Sequence, residues 1–201
     1  MRIVLLILLL SSPALAQERV ISAISGVGDR GQDTIQLEIN ANDTSALDLV
    51  LVRRESYRWD SATDVTRIEN AFFLGPANRP QLVLRNTGAL AIIDLGCFAC
   101  GRYHNGIEAV IDYRNDDWML IGYWTSSVDR IAPWRHRVCD VNLATGDVDI
   151  TLAEQPVERR KTDEQSFPVS DLNMDYSPEI CKSTWLSEEE WEPLKPADWE
   201  D

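Results

Sequence analysis

Residues 107–124 read IEAVIDYRNDDWMLIGYW, and residues 136–152 read HRVCDVNLATGDVDITL. In both stretches, residues that alternate between apolar and polar flank a short run rich in Asn, Asp, Thr or Gly. Alternation with a period of two is typical of a β-strand with one buried face, and the polar runs are typical of hairpin turns. The two stretches therefore predict two consecutive β-hairpins.

The register of the first hairpin depends on the length of its turn. A three-residue turn at residues 115–117 would place Tyr113 opposite Met119 and Ile111 opposite Ile121. Met119, Ile121 and Tyr123 would then share one wholly apolar face. A two-residue turn would instead pair Tyr113 with Trp118 and mix the faces. Because a slip of one residue moves every side chain to the other face, we predict the three-residue turn.

The second hairpin is predicted to turn at residues 144–147. Cys139 and Val141 share one face of the first strand, and Val148 and Ile150 share the corresponding face of the second. Gly146 supplies the left-handed backbone conformation that such a turn needs.

Short strand signals continue through the rest of residues 17–157. They cover residues 35–39, 47–51, 68–74, 81–85 and 89–95, with turn residues between them. No window of about 12 residues or more shows helical periodicity. The predicted fold class is all-β, an antiparallel sandwich or curled barrel built from hairpins.

Residues 1–16 have the pattern of a secretory signal peptide. Arg2 precedes an apolar run at residues 3–10, and Ala14 and Ala16 form a small-residue cleavage site before Gln17. A membrane anchor is the alternative, but the apolar run is about half of the roughly 20 residues that a spanning helix needs. A periplasmic or secreted mature protein is therefore expected, with no membrane insertion after signal cleavage.

The charge balance limits the classes of partner. The chain has 33 acidic and 19 basic residues, with a formal net charge of −14. Nucleic acid and anionic membrane surfaces are poor partners, because both need clustered Lys and Arg. A basic protein, a cation or a neutral ligand remains open, and so does an acidic surface that only keeps the protein soluble.

The four cysteines, Cys97, Cys100, Cys139 and Cys181, predict two disulfides in an exported chain. Three pairings are open, and we favour Cys97–Cys100 with Cys139–Cys181. A disulfide between the second pair would stabilise the fold by roughly 4 kcal/mol in the chain-entropy model.

The C-x-x-C motif at Cys97 and Cys100 has three interpretations. A structural disulfide is favoured, because the motif follows a strand signal and precedes Gly101, which fits a turn. A redox pair would instead be expected at the N-terminus of a helix, where the helix dipole lowers the thiol pKa. A zinc site could add His104, but no fourth ligand is evident, so no metal or cofactor is predicted.

No catalytic residue is singled out. His104 and His136 each lie in an Arg-containing segment without a nucleophile elbow or metal-ligand spacing. With so many carboxylates, no pair can be assigned to hydrolysis. The G-x-G-x-x-G at residues 26–31 lacks a strand–helix context and predicts a loop.

The final segment, residues 158–201, is acidic and rich in proline. Trp185, Trp191 and Trp199 are its candidate partner-binding residues, although we favour their packing against the domain. Ser187 begins a capping-box pattern that predicts a short helix at residues 186–191.

The central block, residues 80–150, carries a series of short motifs. They are Pro80-x-Leu82-x-Leu84, Gly88-x-Leu90, Gly101-Arg102, a Tyr-Arg strand end, Ile121-Gly122-Tyr123 and Cys139-x-Val141-Asn142-x-x-Thr145-Gly146. This series resembles a group of exported proteins of Gram-negative bacteria, most specifically in the C-x-V-N-x-x-T-G turn. The resemblance implies periplasmic residence and a β-rich fold, and it implies no activity.

These observations favour a non-catalytic periplasmic binding or inhibitory module, with a basic protein as candidate partner. Two alternatives stand beside it. One is a periplasmic enzyme that uses thiol redox chemistry at Cys97 and Cys100 or a carboxylate-based hydrolysis. The other is a structural component of the envelope.

Overall fold

The computed structural model describes residues 19–27, 33–54, 63–74, 80–96, 101–153, 155–173 and 175–199. Antiparallel β-strands make up most of these described residues. The strands are β1 (Val20–Val27), β2 (Asp33–Ile39), β3 (Ala46–Arg54), β4 (Thr63–Phe73), β5 (Gln81–Leu84), β6 (Leu90–Asp94), β7 (Tyr103–Arg114), β8 (Asp117–Asp129), β9 (His136–Asn142), β10 (Asp147–Leu152), β11 (Glu158–Lys161) and β12 (Phe167–Pro168). The helices are short: α1 (Glu179–Lys182), α2 (Glu188–Trp191) and 3-10 turns at Val169–Asp171 and Glu192–Leu194. None of the described helices is long and apolar enough to cross a bilayer.

The strands form two sheets. The small sheet has the order β1-β2-β3-β4, and the large sheet has the order β11-β10-β9-β8-β7-β6-β5, with β12 paired to β8. Buried aliphatic side chains of both sheets, such as Ile35, Leu49, Ile92, Ile111 and Leu120, belong to one hydrophobic cluster. The predicted all-β fold is confirmed as a two-sheet antiparallel sandwich, and the sheets do not close into a barrel.

The turn between β7 and β8 differs from the prediction. It has two residues, Asn115 and Asp116, with φ of 53° and 64°. Two successive left-handed residues make the type of turn whose twist matches that of the flanking strands. Tyr113 therefore lies opposite Trp118, with the ring centroids 5.6 Å apart, and the predicted three-residue register is wrong.

A β-bulge explains how the shorter turn still buries apolar side chains. Near the turn, Trp118 and Leu120 face the core. Ile121 is then an extra residue in β8, because Val110 pairs with Gly122 while the next residue of β7 pairs with Leu120. The bulge moves the buried positions of β8 from even to odd numbers, so that Tyr123 is buried. The predicted apolar face of Met119, Ile121 and Tyr123 is wrong for the same reason, since only Tyr123 of the three is buried.

The β9–β10 hairpin agrees with its predicted faces. Cys139, Val141, Val148 and Ile150 are all fully buried. Gly146 has φ of 72°, and a Cβ atom there would lie 2.7 Å from the carbonyl oxygen of residue 162. Glycine is required at this position by both the conformation and the close approach.

The C-terminal segment, residues 175–199, packs over one end of the inner face of the large sheet. The predicted disulfide between Cys139 and Cys181 is present, and it ties α1 to β9. Ser187 caps α2 through the reciprocal hydrogen bonds of a capping box with Glu190, as its sequence predicts.

Several predicted features lie outside the described residues. These are the signal peptide at residues 1–16, Cys97 and Cys100, and most of the glycine motif at residues 26–31.

Candidate functional site

A row of three side chains crosses the outer face of the large sheet, the face turned away from the small sheet. Glu108 of β7 pairs with Trp124 of β8, and Trp124 pairs with Asp140 of β9. Each of these residues alternates along its strand with residues that face the core, so all three project outward. The register of three strands thus places Trp124 between two acidic residues.

This row lies in an open groove of about 770 Å³. Apolar side chains of three neighbouring strands form much of its floor, namely those of Ile93, Leu95, Val110 and Ile121. The β5–β6 turn, residues 85–89, lines one wall. An apolar floor with a few polar groups is the usual composition of a ligand-binding concavity.

Gly106 fixes the position of the Trp124 ring. A Cβ atom built on Gly106 would lie 3.1 Å from Cζ3 of Trp124 and 3.0 Å from the Ser126 hydroxyl oxygen. The indole therefore extends along the sheet over the bare backbone of β7. Only glycine lets the ring lie this close to the strand.

The two carboxylates of the row differ in their partners. Glu108 accepts a hydrogen bond from the guanidinium of Arg85 and forms an ion pair with it. Asp140 makes no ion pair with any residue in the described part of the chain. Loss of hydration and the negative charge of Asp149, directly opposite on β10, raise the pKa of Asp140, and the positive charge of Arg85 offsets part of the effect.

This arrangement can hold a cation that carries apolar atoms. The face of an indole attracts a cation, and an adjacent unpaired carboxylate adds a direct ion pair. The stem of a lysine or arginine side chain would rest on the apolar floor.

The predicted tryptophans of the tail lie elsewhere, on the C-terminal segment. Trp191 is partly buried and packs edge-on against Trp134, with ring centroids 6.1 Å apart. Trp199 is partly buried beside Trp134 in a separate surface pocket of about 400 Å³. Trp185 is 55% exposed, and its ring stacks on the guanidinium of Arg137. In the described residues these three side chains therefore contact other parts of the protein.

The two histidines flank one residue of β8. His104 of β7 and His136 of β9 both pair with Val128, so they lie two strands apart. That separation is about 9–10 Å between their backbones. Among the described residues, no group of three or more His, Cys, Asp or Glu side chains is placed to hold a metal ion.

The sequence analysis missed the row of Glu108, Trp124 and Asp140. The alternation in each strand does indicate which side chains project outward together. The register that brings the three together, however, depends on the bulge at Ile121. No family model, curated protein or solved structure matches this chain.

Proposed function

We propose that this protein is a non-catalytic binding or inhibitory module of the periplasm, and that it holds a basic segment of a protein partner in the outer groove. The observation that carries the proposal is the position of Trp124, between Glu108 and Asp140 and above an apolar floor. A lysine or arginine side chain of the partner would place its charged group beside Asp140 and against the indole.

The charges of the molecule support a basic partner. No cation among the described residues forms an ion pair with Asp140, whereas Glu108 is already neutralised by Arg85. Burial and, to a smaller extent, the negative charge of Asp149 raise the pKa of Asp140, and a partner cation would relieve the repulsion between the two carboxylates. The net charge of −14 would also speed the encounter with a basic protein at low salt.

The compartment rests on three supports. The first is the pattern of a signal peptide at residues 1–16, and the second is the resemblance of the central block to exported proteins. The third is the Cys139–Cys181 disulfide, a kind of bond that persists in oxidising compartments.

Calorimetric titration with short peptides tests the groove. The probe is a capped peptide in which one arginine is flanked by leucine and valine, and its control has glutamate in place of arginine. We expect binding of the arginine peptide only, weakened by added salt. Trp124→Ala and Asp140→Asn should each reduce the affinity about tenfold, since each removes one of the two attractions, worth about 1–2 kcal/mol.

Matched variants distinguish binding in the groove from a general attraction of the peptide to the negative charge of the protein. Asp171→Asn removes an exposed acid from the 3-10 turn at Val169–Asp171 and should leave the affinity unchanged. Gly106→Ala should displace the Trp124 ring by a few tenths of an ångström and weaken binding with little loss of stability. Equal losses in Asp171→Asn and Asp140→Asn would show that only net charge attracts the peptide, and the proposed site would then be wrong.

A further inference from the structure

A second candidate site lies on the opposite side of the large sheet, beneath the C-terminal segment. A cavity of about 60 Å³ is lined there by Arg135, Arg137, Tyr103, Ser127, Trp185 and Trp191. It shares no residue with the outer groove. A cavity of this volume can hold a ligand of a few non-hydrogen atoms.

Arg137 is the distinctive residue of this cavity. It is only 3% exposed, and its Nη1 donates hydrogen bonds to the carbonyl oxygen of Cys181 at 3.2 Å and to the Thr184 hydroxyl at 2.8 Å. Its guanidinium carbon lies 3.4 Å from the ring centroid of Trp185. Its Nε has no hydrogen-bond partner among the described residues.

The carboxylates near this end of the sheet are already engaged. Asp129 is fully buried and accepts two hydrogen bonds from Arg102, at 2.8 and 2.5 Å. Glu188 and Glu192 are on the surface, and both pair with Arg135. No described carboxylate pairs with Arg137, so its positive charge is buried without a counter-ion.

A buried charge without a counter-ion is costly, and burial lowers the pKa of Arg137 to about 10. Arg135 contributes a second unsatisfied donor, since its Nε is also buried without a partner. Two guanidinium donors and the Ser127 hydroxyl would suit the two oxygens of a planar carboxylate.

We propose that the cavity beside Arg137 binds one small carboxylate, either a free acid of the size of acetate or the carboxylate that ends a chain. The ligand would neutralise Arg137, accept hydrogen bonds from the two unsatisfied Nε–H groups and lie partly beneath the Trp185 ring. Its binding would connect β9 to the C-terminal segment and thereby stabilise the packing of that segment.

The test is a titration of the full mature protein at pH 7 and constant ionic strength. The probes are sodium formate, sodium acetate, N-acetylglycine and inorganic phosphate, with chloride as the reference. We expect saturable one-site binding of carboxylate by calorimetry, together with a matching shift of the Nε–H signal of Arg137 in ¹H–¹⁵N spectra. Binding of N-acetylglycine as strong as that of acetate would identify the end of a chain as the source, and exclusion of N-acetylglycine would identify a free small acid.

Ser127→Ala should weaken the binding about tenfold, because a hydrogen bond to a charged group is lost. The matched control is Ser126→Ala, one residue away on the outer face of the same strand, which should bind like the unmodified protein. An Arg137 Nε–H signal that moves no further than it does with chloride would mean that the cavity holds water only. That result, or saturation by phosphate without any carboxylate binding, would overturn the proposal.

Discussion

On the outer face of the large sheet, Trp124 lies between two carboxylates at the floor of an open groove. At the far end of the inner face, Trp185 is stacked on the buried Arg137 and Trp191 packs on Trp134. The second region has more aromatic side chains, but a disulfide and a set of ion pairs hold it against the sheet. The comparison shows that tryptophans in an acidic tail can serve packing, while the surface suited to a partner is formed by outward-facing side chains of neighbouring strands.

The largest expected effect comes from releasing the C-terminal segment. Replacing both Cys139 and Cys181 with Ser should lower the free energy of unfolding by about 4 kcal/mol, because the bond restricts the unfolded chain. Urea unfolding of the variant with both replacements measures this loss of stability. Replacing Cys97 and Cys100 is the control and should cost less, since the four-residue loop that their predicted disulfide would close constrains little.

Peptide mapping of the unreduced protein checks the same pairing. A peptide that links Cys97 or Cys100 to Cys139 would contradict the disulfide on which the comparison rests.

The two kinds of tryptophan should respond differently to truncation. Trp191→Ala should destabilise the protein by about 1–3 kcal/mol, less than the cost for a fully buried Trp, because Trp191 is only partly buried. Trp124→Ala should change the stability by about 1 kcal/mol or less, because its ring lies in the open groove of the outer face, and it should lower the peptide affinity about tenfold. Thermal melts and titrations of both variants measure this contrast. A Trp124→Ala variant that melts lower than Trp191→Ala would reverse the roles assigned to the two regions.

The smallest effect is a gain in stability. The raised pKa of Asp140 means that the folded state holds this proton to a higher pH than the unfolded chain does, so the charged carboxylate opposes folding at neutral pH. Asp140→Asn should therefore stabilise the protein at pH 7 by about 0.2–1 kcal/mol, the usual range for like charges directly opposite in a sheet. The gain should vanish below about pH 4, where the unfolded carboxyl is also protonated.

Asp147 provides the matched control for this titration. The hydrogen bond from Lys161 is the largest of the effects that lower the pKa of Asp147, so its charged form favours the folded state. Asp147→Asn should lower the melting temperature at pH 7, opposite in sign to Asp140→Asn. Melts of both variants at pH 7 and pH 3 compare the two, and equal signs at pH 7 would contradict the account of Asp140.

Features encoded locally could be predicted from the sequence. The turn after β9 is one example, because Asn142 accepts hydrogen bonds from the backbone N–H groups of residues 144 and 145, and Gly146 supplies the left-handed conformation. The capping box at Ser187 is another. Both depend on residues only a few positions apart, so local patterns contain the information.

Features that depend on register could not be predicted in the same way. The two-residue turn at Asn115 and Asp116 needs the bulge at Ile121 to bring Tyr123 to the core, where Tyr123 contacts Tyr176, a residue distant in sequence. The candidate site has the same origin. Glu108, Trp124 and Asp140 become neighbours only through the register of three strands, and among 33 acidic residues the sequence singles out no pair.

The indole ¹H–¹⁵N signals of the protein test the central claim most directly, because they report which tryptophans meet a basic ligand. Titration with the arginine peptide should shift the Trp124 signal to saturation and leave the signals of Trp185, Trp191 and Trp199 in place. Saturating shifts of the three tail signals with an unmoved Trp124 would contradict the account, since the basic partner would then bind the C-terminal segment and not the groove.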